Sequence, residues 1–170
     1  MLPIIKLPTP SLRVRSKEID RDTLKSPKIQ QLIQDMIPTM YGDDGIGLAA
    51  PQVAQNIRIC VIGKEAVHMD NRPTGKGKKS SATKDLVLVN PVFERLSKKT
   101  AWDTEGCLSV PKKYGKVKRF TEIEVTAWDE HGNDLKFVAK KFFARVIQHE
   151  VDHLDGILFI DRAPSVYDVE

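Results

Sequence analysis

"KKFFARVIQHEVDHLDG", residues 140 to 156, is the stretch on which the reading of the fold turns. Phe142, Phe143, Val146, Ile147 and Leu154 recur at helical spacing, so the pattern predicts a helix from about Lys140 to Leu154 with one face in a core. Working back from it, the period changes. "IRICVI" (57–62), "LVLVN" (86–90), "EIEVTAWD" (122–129) and "LKFVA" (135–139) are short and rich in β-branched residues, and they are predicted as strands, the last two joined through "EHGN" as a hairpin. Further back, "SPKIQQLIQDMIPTMYG" (26–42) opens with Ser26 and Pro27 as a helix start. Ile29, Leu32, Ile33, Met36, Ile37 and Met40 then follow at helical spacing. Pro38 removes the backbone bond to Gln34, but the pattern continues on both sides, which predicts a kink and not a break. Strands gathered ahead of one late helix predict an α+β fold: antiparallel sheets packed around a central C-terminal helix, with an N-terminal amphipathic helix.

The chain has 170 residues, the length of one compact domain, so 1–170 is expected to fold as a unit without disulfides. "MLPIIKLPTPSLR" has neither a basic head nor an unbroken apolar stretch, and no apolar run approaches the roughly 18 residues of a membrane span. A soluble, unsecreted protein without membrane contact is expected. Two cysteines are too few for the framework of a small secreted domain and are expected as reduced thiols. The net charge of +4 is unevenly spread. "NRPTGKGKKSSATK" (71–84) has five basic residues and no acid, and is expected as a solvated loop inserted in the domain. "KKYGKVKR" (112–119) has five basic positions in eight and is open to contact with an acidic partner.

The late helix carries chemistry as well as apolar residues. His149 and His153, four apart, lie about 40° from each other around a helix axis and one turn apart along it, so both imidazoles can reach one ion. Glu150 is about 100° from His149 but only about 60° from His153, so its carboxylate can meet a water on the same ion without being forced to ligate it. This is the H-E-x-x-H arrangement, two neutral imidazoles with a general base; the competing reading is a chance match on a core helix. A catalytic site of the zinc type takes three protein ligands and an open position. The long pattern H-E-x-x-H-x-x-G-x-x-H is met as far as Gly156, but Phe159 stands where its third histidine belongs. His68, in a polar stretch after a strand, and His131, in the hairpin turn, are expected at the surface, and Cys60 is expected as a small core residue. Cys107 remains, in "EGCLSVP" (105–111), which looks like an irregular segment carrying a thiol to a site. A soft thiolate with two imidazoles suits Fe(II), Co(II), Ni(II) or Zn(II) and excludes magnesium or calcium.

Together with "GIGLAAPQ" (45–52), the segments "EGCLSVP" and "QHEVDHLDG" (148–156), in this order and spacing, resemble the three signature motifs of peptide deformylases. By itself "GIGLAAPQ" would be a small-residue turn after a helix. The resemblance implies an enzyme that removes the formyl group from the N-terminal formylmethionine of newly made proteins, releasing formate. It implies Cys107, His149 and His153 as ligands of one divalent transition metal, Fe(II) in the cell with zinc, nickel or cobalt possible, and no other cofactor. Glu150 would be the acid/base, and Gln52 and the backbone N–H of Leu108 would hold the developing oxyanion. Gly45 and Gly47 would let a peptide backbone approach, Gly47 also walling the reacting pocket. Ile46, Phe142, Val146 and the stem of Arg145 would line a pocket for the methionine side chain, although each is equally explained as core packing. Glu105 and Arg119 resemble a pair that ties the cysteine segment to the next strand, against the alternative of a solvent-exposed charge pair.

A cytoplasmic location, or an organelle matrix or stroma, goes with this activity. Formylated nascent chains would be its partners. Because the chain ends soon after His153, the extra C-terminal helix that some bacterial relatives use at the ribosome is expected to be absent, and ribosome contact would need another basic surface such as 112–119. Pro38 and the 71–84 insertion also depart from the usual family pattern. Two other functions stay open on the residues: a zincin-like endopeptidase with an unusual cysteine ligand, and a basic RNA- or ribosome-binding module with a structural metal. A structural site takes four ligands where the sequence offers three good ones. RNA binding needs aromatics near the basic stretches, where only Tyr114 and Phe120 qualify.

Overall fold

The computed structural model describes residues 1–70 and 84–169. Five helices follow along these residues: α1 (Arg21–Lys25), α2 (Pro27–Gly42), α3 (Lys64–Asp70), α4 (Lys141–Leu154) and α5 (Phe159–Arg162). The strands are β1 (Gly47–Ala49), β2 (Ile59–Ile62), β3 (Leu86–Arg95), β4 (Thr100–Cys107), β5 (Val110–Phe120), β6 (Glu122–Trp128), β7 (Asp134–Lys140) and β8 (Val166–Asp168). They form a five-stranded sheet in the order β1-β2-β3-β6-β7 and a three-stranded sheet in the order β4-β5-β8. Every pairing is antiparallel.

The larger sheet is buried on both faces at β1 and β2, which is why the sequence of β2 is an unbroken apolar run. Side chains alternate across a strand, so Cys60 and Ile62 point to the core that α4 fills with Phe143, Ala144, Ile147, Val151 and Leu154. Ile59 and Val61 point the other way, to the core that α2 fills with Ile33, Met36 and Met40. Each fully buried side chain of this kind, such as Ile147, contributes about 1.5–3 kcal/mol over its exposed state. The antiparallel helix-and-sheet architecture expected from the sequence is the one observed. The β6–β7 hairpin is in place, pairing Trp128 with Asp134 next to the turn.

Local signals set the helix limits. The Ser26 hydroxyl caps α2 by accepting from the Ile29 N–H at 3.4 Å, and the helix runs through Pro38 unbroken. After α4 the chain turns at Gly156 with φ +75°, where a Cβ would lie 2.5 Å from the Arg13 carbonyl oxygen, so only glycine lets the backbones pass.

The structure departs from the expectations in one place. Segment 105–111 is not irregular: Cys107 ends β4, and β4 and β5 form a long hairpin that periodicity did not predict. Its inner face holds charged Glu105 and Arg119 beside Val117, and its outer face mixes Trp102 and Tyr114 with Thr104, Lys116 and Lys118, so no apolar alternation marks it. His68 follows β2, on α3, and is exposed as expected. Residues 71–83 of the expected basic loop lie outside the described residues.

Candidate active site

α4 presents His149 and His153 on one side, their rings 5.1 Å apart between centroids and edge-on to one another. The β4–β5 hairpin brings Cys107 across to them, with Sγ 3.2 Å from His153 Nε2. One ligating atom from each of Cys107, His149 and His153 lies within 4.8 Å of the others, a group able to hold a metal ion. His131 is exposed beside Glu130, and Cys60 is fully buried in the core, so neither joins the cluster. Phe159 packs its ring 6.3 Å from that of His149 at an interplanar angle of 20°, serving as a wall where the longer motif would place a ligand.

The imidazole of His149 is held from behind. Its Nδ1 lies 2.8 Å from Glu105 Oε1, which places the proton on Nδ1 and leaves Nε2 to the cluster. Glu105 in turn accepts two bonds from Arg119, at 2.8 and 2.9 Å, and one from Arg145 at 2.7 Å. Arg119 also donates to Asp152 at 2.6 Å, and Asp152 accepts twice more from Arg162. The Glu105–Arg119 pair is therefore not solvent-exposed: its side chains are 5% and 4% accessible, and it belongs to a buried network. Asp152 and Arg162 were not singled out from the sequence. Asp152 lies three residues after His149 on α4, but an acid at that spacing has no signature until the hairpin supplies its arginine.

Electrostatics follow from this packing. Burial alone would push the Glu105 carboxyl up, yet hydrogen bonds from His149 and Arg119 hold it well below the usual carboxylate range. Burial likewise opposes the thiolate of Cys107, but the charge of His153 and hydrogen bonds from both imidazoles outweigh it and draw the thiol down to about 5. His149 is raised to about 10, since its bonds to Cys107 and Glu105 and the charge of Glu150 overcome burial. Glu150 is shifted up, chiefly by burial. One of its oxygens, Oε2, is buried without a hydrogen-bond partner. A carboxylate so placed is more basic than one in water.

Gly47 on edge strand β1 faces this carboxylate: a Cβ there would sit 2.8 Å from Glu150 Oε1. Gly45 similarly faces Leu108, whose Cδ1 would lie 2.9 Å from an added Cβ. Gln52 follows β1 in a turn of 3-10 helix. Its Oε1 accepts from the Ala49 N–H at 3.0 Å, so its NH₂ is aimed at Ser109 Oγ, 3.2 Å away, and towards Cys107 Sγ at 3.6 Å. A cleft of about 560 Å³ opens over the cluster. Gly45, Ile46, Gly47, Gln52, Cys107, Leu108, Phe142, Arg145, Val146, His149 and Glu150, all sequence-predicted, line it. Arg145 is more than a stem: its guanidinium turns inward to Glu105 and to the carbonyls of Val117 and Ala101.

A buried base and two imidazoles on one helix, faced by a thiol from an antiparallel hairpin, define an enzyme of the His-Glu-x-x-His hydrolase class. A family model for polypeptide deformylase matches residues 1–168. Peptide deformylase 2 of Nostoc sp. is 39% identical over 165 residues, covering 97% of this chain and 87% of the relative. The chloroplastic peptide deformylase 1A of Solanum lycopersicum is 36% identical over 167 residues, covering 96% of this chain and 60% of the relative. Among solved structures, the Met-Ala-Ser-bound class I type b peptide deformylase from Acinetobacter baumannii matches with a TM-score of 0.80 at 33% identity, over 95% of this chain and 99% of that one. This chain belongs to the polypeptide deformylase family. Membership removes the endopeptidase and the metal-stapled binding module as alternatives for the site.

Proposed function

We propose that the enzyme hydrolyses the formyl amide of formylmethionyl chains, releasing formate and a free amino terminus. The observation that carries this reading is the convergence of Glu150, Gln52, Cys107 and His149 on one cleft, with the buried His153 completing the cluster 3.2 Å from Cys107, and the Met-Ala-Ser bound to the Acinetobacter baumannii relative has the form of the product peptide.

The donor set fits a divalent transition metal of the Fe(II), Co(II), Ni(II) or Zn(II) group, with Fe(II) the ion proposed for the cell. The thiol is drawn towards thiolate, Glu105 orients His149, and His153 turns Nε2 to Cys107 Sγ at 3.2 Å, so one donor atom from each side chain is directed at a common point. When bound, such an ion acts as a Lewis acid on the formyl oxygen and acidifies a water molecule. Glu150 takes the proton of the attacking water and returns it to the leaving amine; its upward shift keeps that proton available. Gln52 Nε2 and the Leu108 N–H donate to the formyl oxygen as negative charge gathers on it. Ile46, Phe142, Val146 and the Arg145 stem seat the methionine side chain, and Gly45 and Gly47 leave room for the peptide backbone.

A cytoplasmic location, or the stroma of an organelle, goes with this substrate. Among the described residues no helix is long and apolar enough to cross a membrane.

Formyl-Met-Ala-Ser against acetyl-Met-Ala-Ser is the test. An extra methyl misplaces the carbonyl from its two donors, so kcat/KM should favour the formyl peptide by at least about 100-fold, with the Met-Ala bond intact in both. Mass spectrometry reads the products. Cleavage inside the peptide, or equal rates on the two acyl groups, refutes the proposal.

A further inference from the structure

The outer face of the three-stranded sheet gathers aromatic and basic side chains that are scattered in sequence. In the β4–β5 register Trp102 pairs with Lys118 and Thr104 with Lys116, and on the other edge Tyr114 pairs with Tyr167 of β8. Directly paired residues share a face. The alternate positions, Glu105, Val117 and Arg119, are buried against the active-site network, so this set points outward. Trp102 is 53% exposed, Tyr167 49% and Tyr114 38%. The Lys118 ammonium lies 5.9 Å from the Trp102 ring centre, and the two tyrosine rings lie 6.3 Å apart. Neither Lys116 nor Lys118 has a carboxylate partner among the described residues, and none of these six outward positions is acidic. Three large exposed aromatics on one sheet face, with two lysines free of any carboxylate beside them, mark an interaction surface.

We propose that this face docks single-stranded RNA, its bases stacking on Trp102, Tyr114 and Tyr167 and its phosphates held by Lys116 and Lys118. Charge complementarity selects a polyanion, because the face offers cations and hydroxyls with no acid to repel one. The aromatic rings select among polyanions. Exposed aromatic rings on three neighbouring strands, beside the lysines of β5, bind unpaired bases, whereas a duplex hides its base faces and an acidic peptide has none. Tyr114 also lines the catalytic cleft, so the strip runs from the mouth of the active site outward along the hairpin. The inference stands on the surface itself and does not require the proposed reaction.

The test uses the whole protein with an oligouridylate of roughly 12 nucleotides. In a Trp128→Phe background, which leaves Trp102 as the lone tryptophan, the oligonucleotide should quench tryptophan emission saturably. Affinity from fluorescence anisotropy should fall steeply with salt. The double variant Lys116→Glu/Lys118→Glu should weaken binding by at least about tenfold and flatten the salt dependence. Trp102→Ala should weaken it by about tenfold with the salt dependence retained. Both variants should keep wild-type circular dichroism and turnover of a short formylated peptide, because none of the three side chains lines the cleft. Unquenched Trp102, equal binding of a duplex of the same length, equal binding of inorganic polyphosphate, or variants that bind like wild type would each overturn the proposal.

Discussion

Glu105 on β4 holds His149 on α4 through a 2.8 Å contact between Oε1 and Nδ1, and the same carboxylate is clamped by Arg119 and Arg145. The hairpin that carries the thiol is thereby locked to the helix that carries the imidazoles. Replacing Glu105 by Gln removes the charge while keeping the shape, so two buried guanidinium groups lose their shared anion. Removing one member of a buried ionic group costs about 3–5 kcal/mol. Urea unfolding should show that loss, and competition with a chelator should show metal affinity down by about 10- to 100-fold. A variant as stable and as metal-avid as wild type would separate the network from the site.

Glu150→Gln tests the base directly. Turnover of formyl-Met-Ala-Ser should drop by roughly 10² to 10⁴-fold, with metal content unchanged by elemental analysis. Gly47→Ala should reproduce part of this loss without touching the carboxylate, since the new methyl would press on Glu150 Oε1 from 2.8 Å. Near-normal rates in Glu150→Gln would remove Glu150 from the reaction.

The two thiols should separate cleanly. Cys107→Ala is expected to release most of the metal at neutral pH, whereas Cys60→Ala, on β2 in the core that α4 fills, should retain it and lose only packing stability. Equal metal content in the two variants would reassign the third ligand. With Fe(II) bound, activity should decay in air faster than that of a nickel-substituted preparation, because thiolate and iron both oxidise.

A pH effect is expected at Tyr41. Burial and a hydrogen bond to Asp85 raise the Tyr41 phenol to about 12 from its ordinary 10.0. The native state thus holds this proton more tightly than the unfolded chain does. Its contribution to stability is complete below pH 10.0 and is lost as the pH rises through about 12. Spectrophotometric titration of phenolate should show a late component that vanishes in Tyr41→Phe, and titration of the variant indistinguishable from wild type would contradict the assignment.

Local pattern carried much of this molecule. The helical period of 140–156 and 26–42, the apolar run 57–62 and the turn at "EHGN" each report interactions within a few residues or burial on a whole face, which a single chain segment records by itself. The spacing of His149, Glu150 and His153 is likewise local, because one helical turn fixes it. What the sequence left open was decided across strands. The hairpin from Thr100 to Phe120 has charges on its buried side, so the usual alternation is absent, and only pairing in register turns Glu105 and Arg119 inward, where Arg145 of α4 joins them in one network. The same register sets Trp102 beside Lys118 and Tyr167 beside Tyr114, partners from 16 to 53 positions distant in the chain that no window along the sequence can bring together. Position along the chain determined which chemical groups this protein has. Contacts between distant segments decided which of them face one another, because burial and hydrogen bonding act through space.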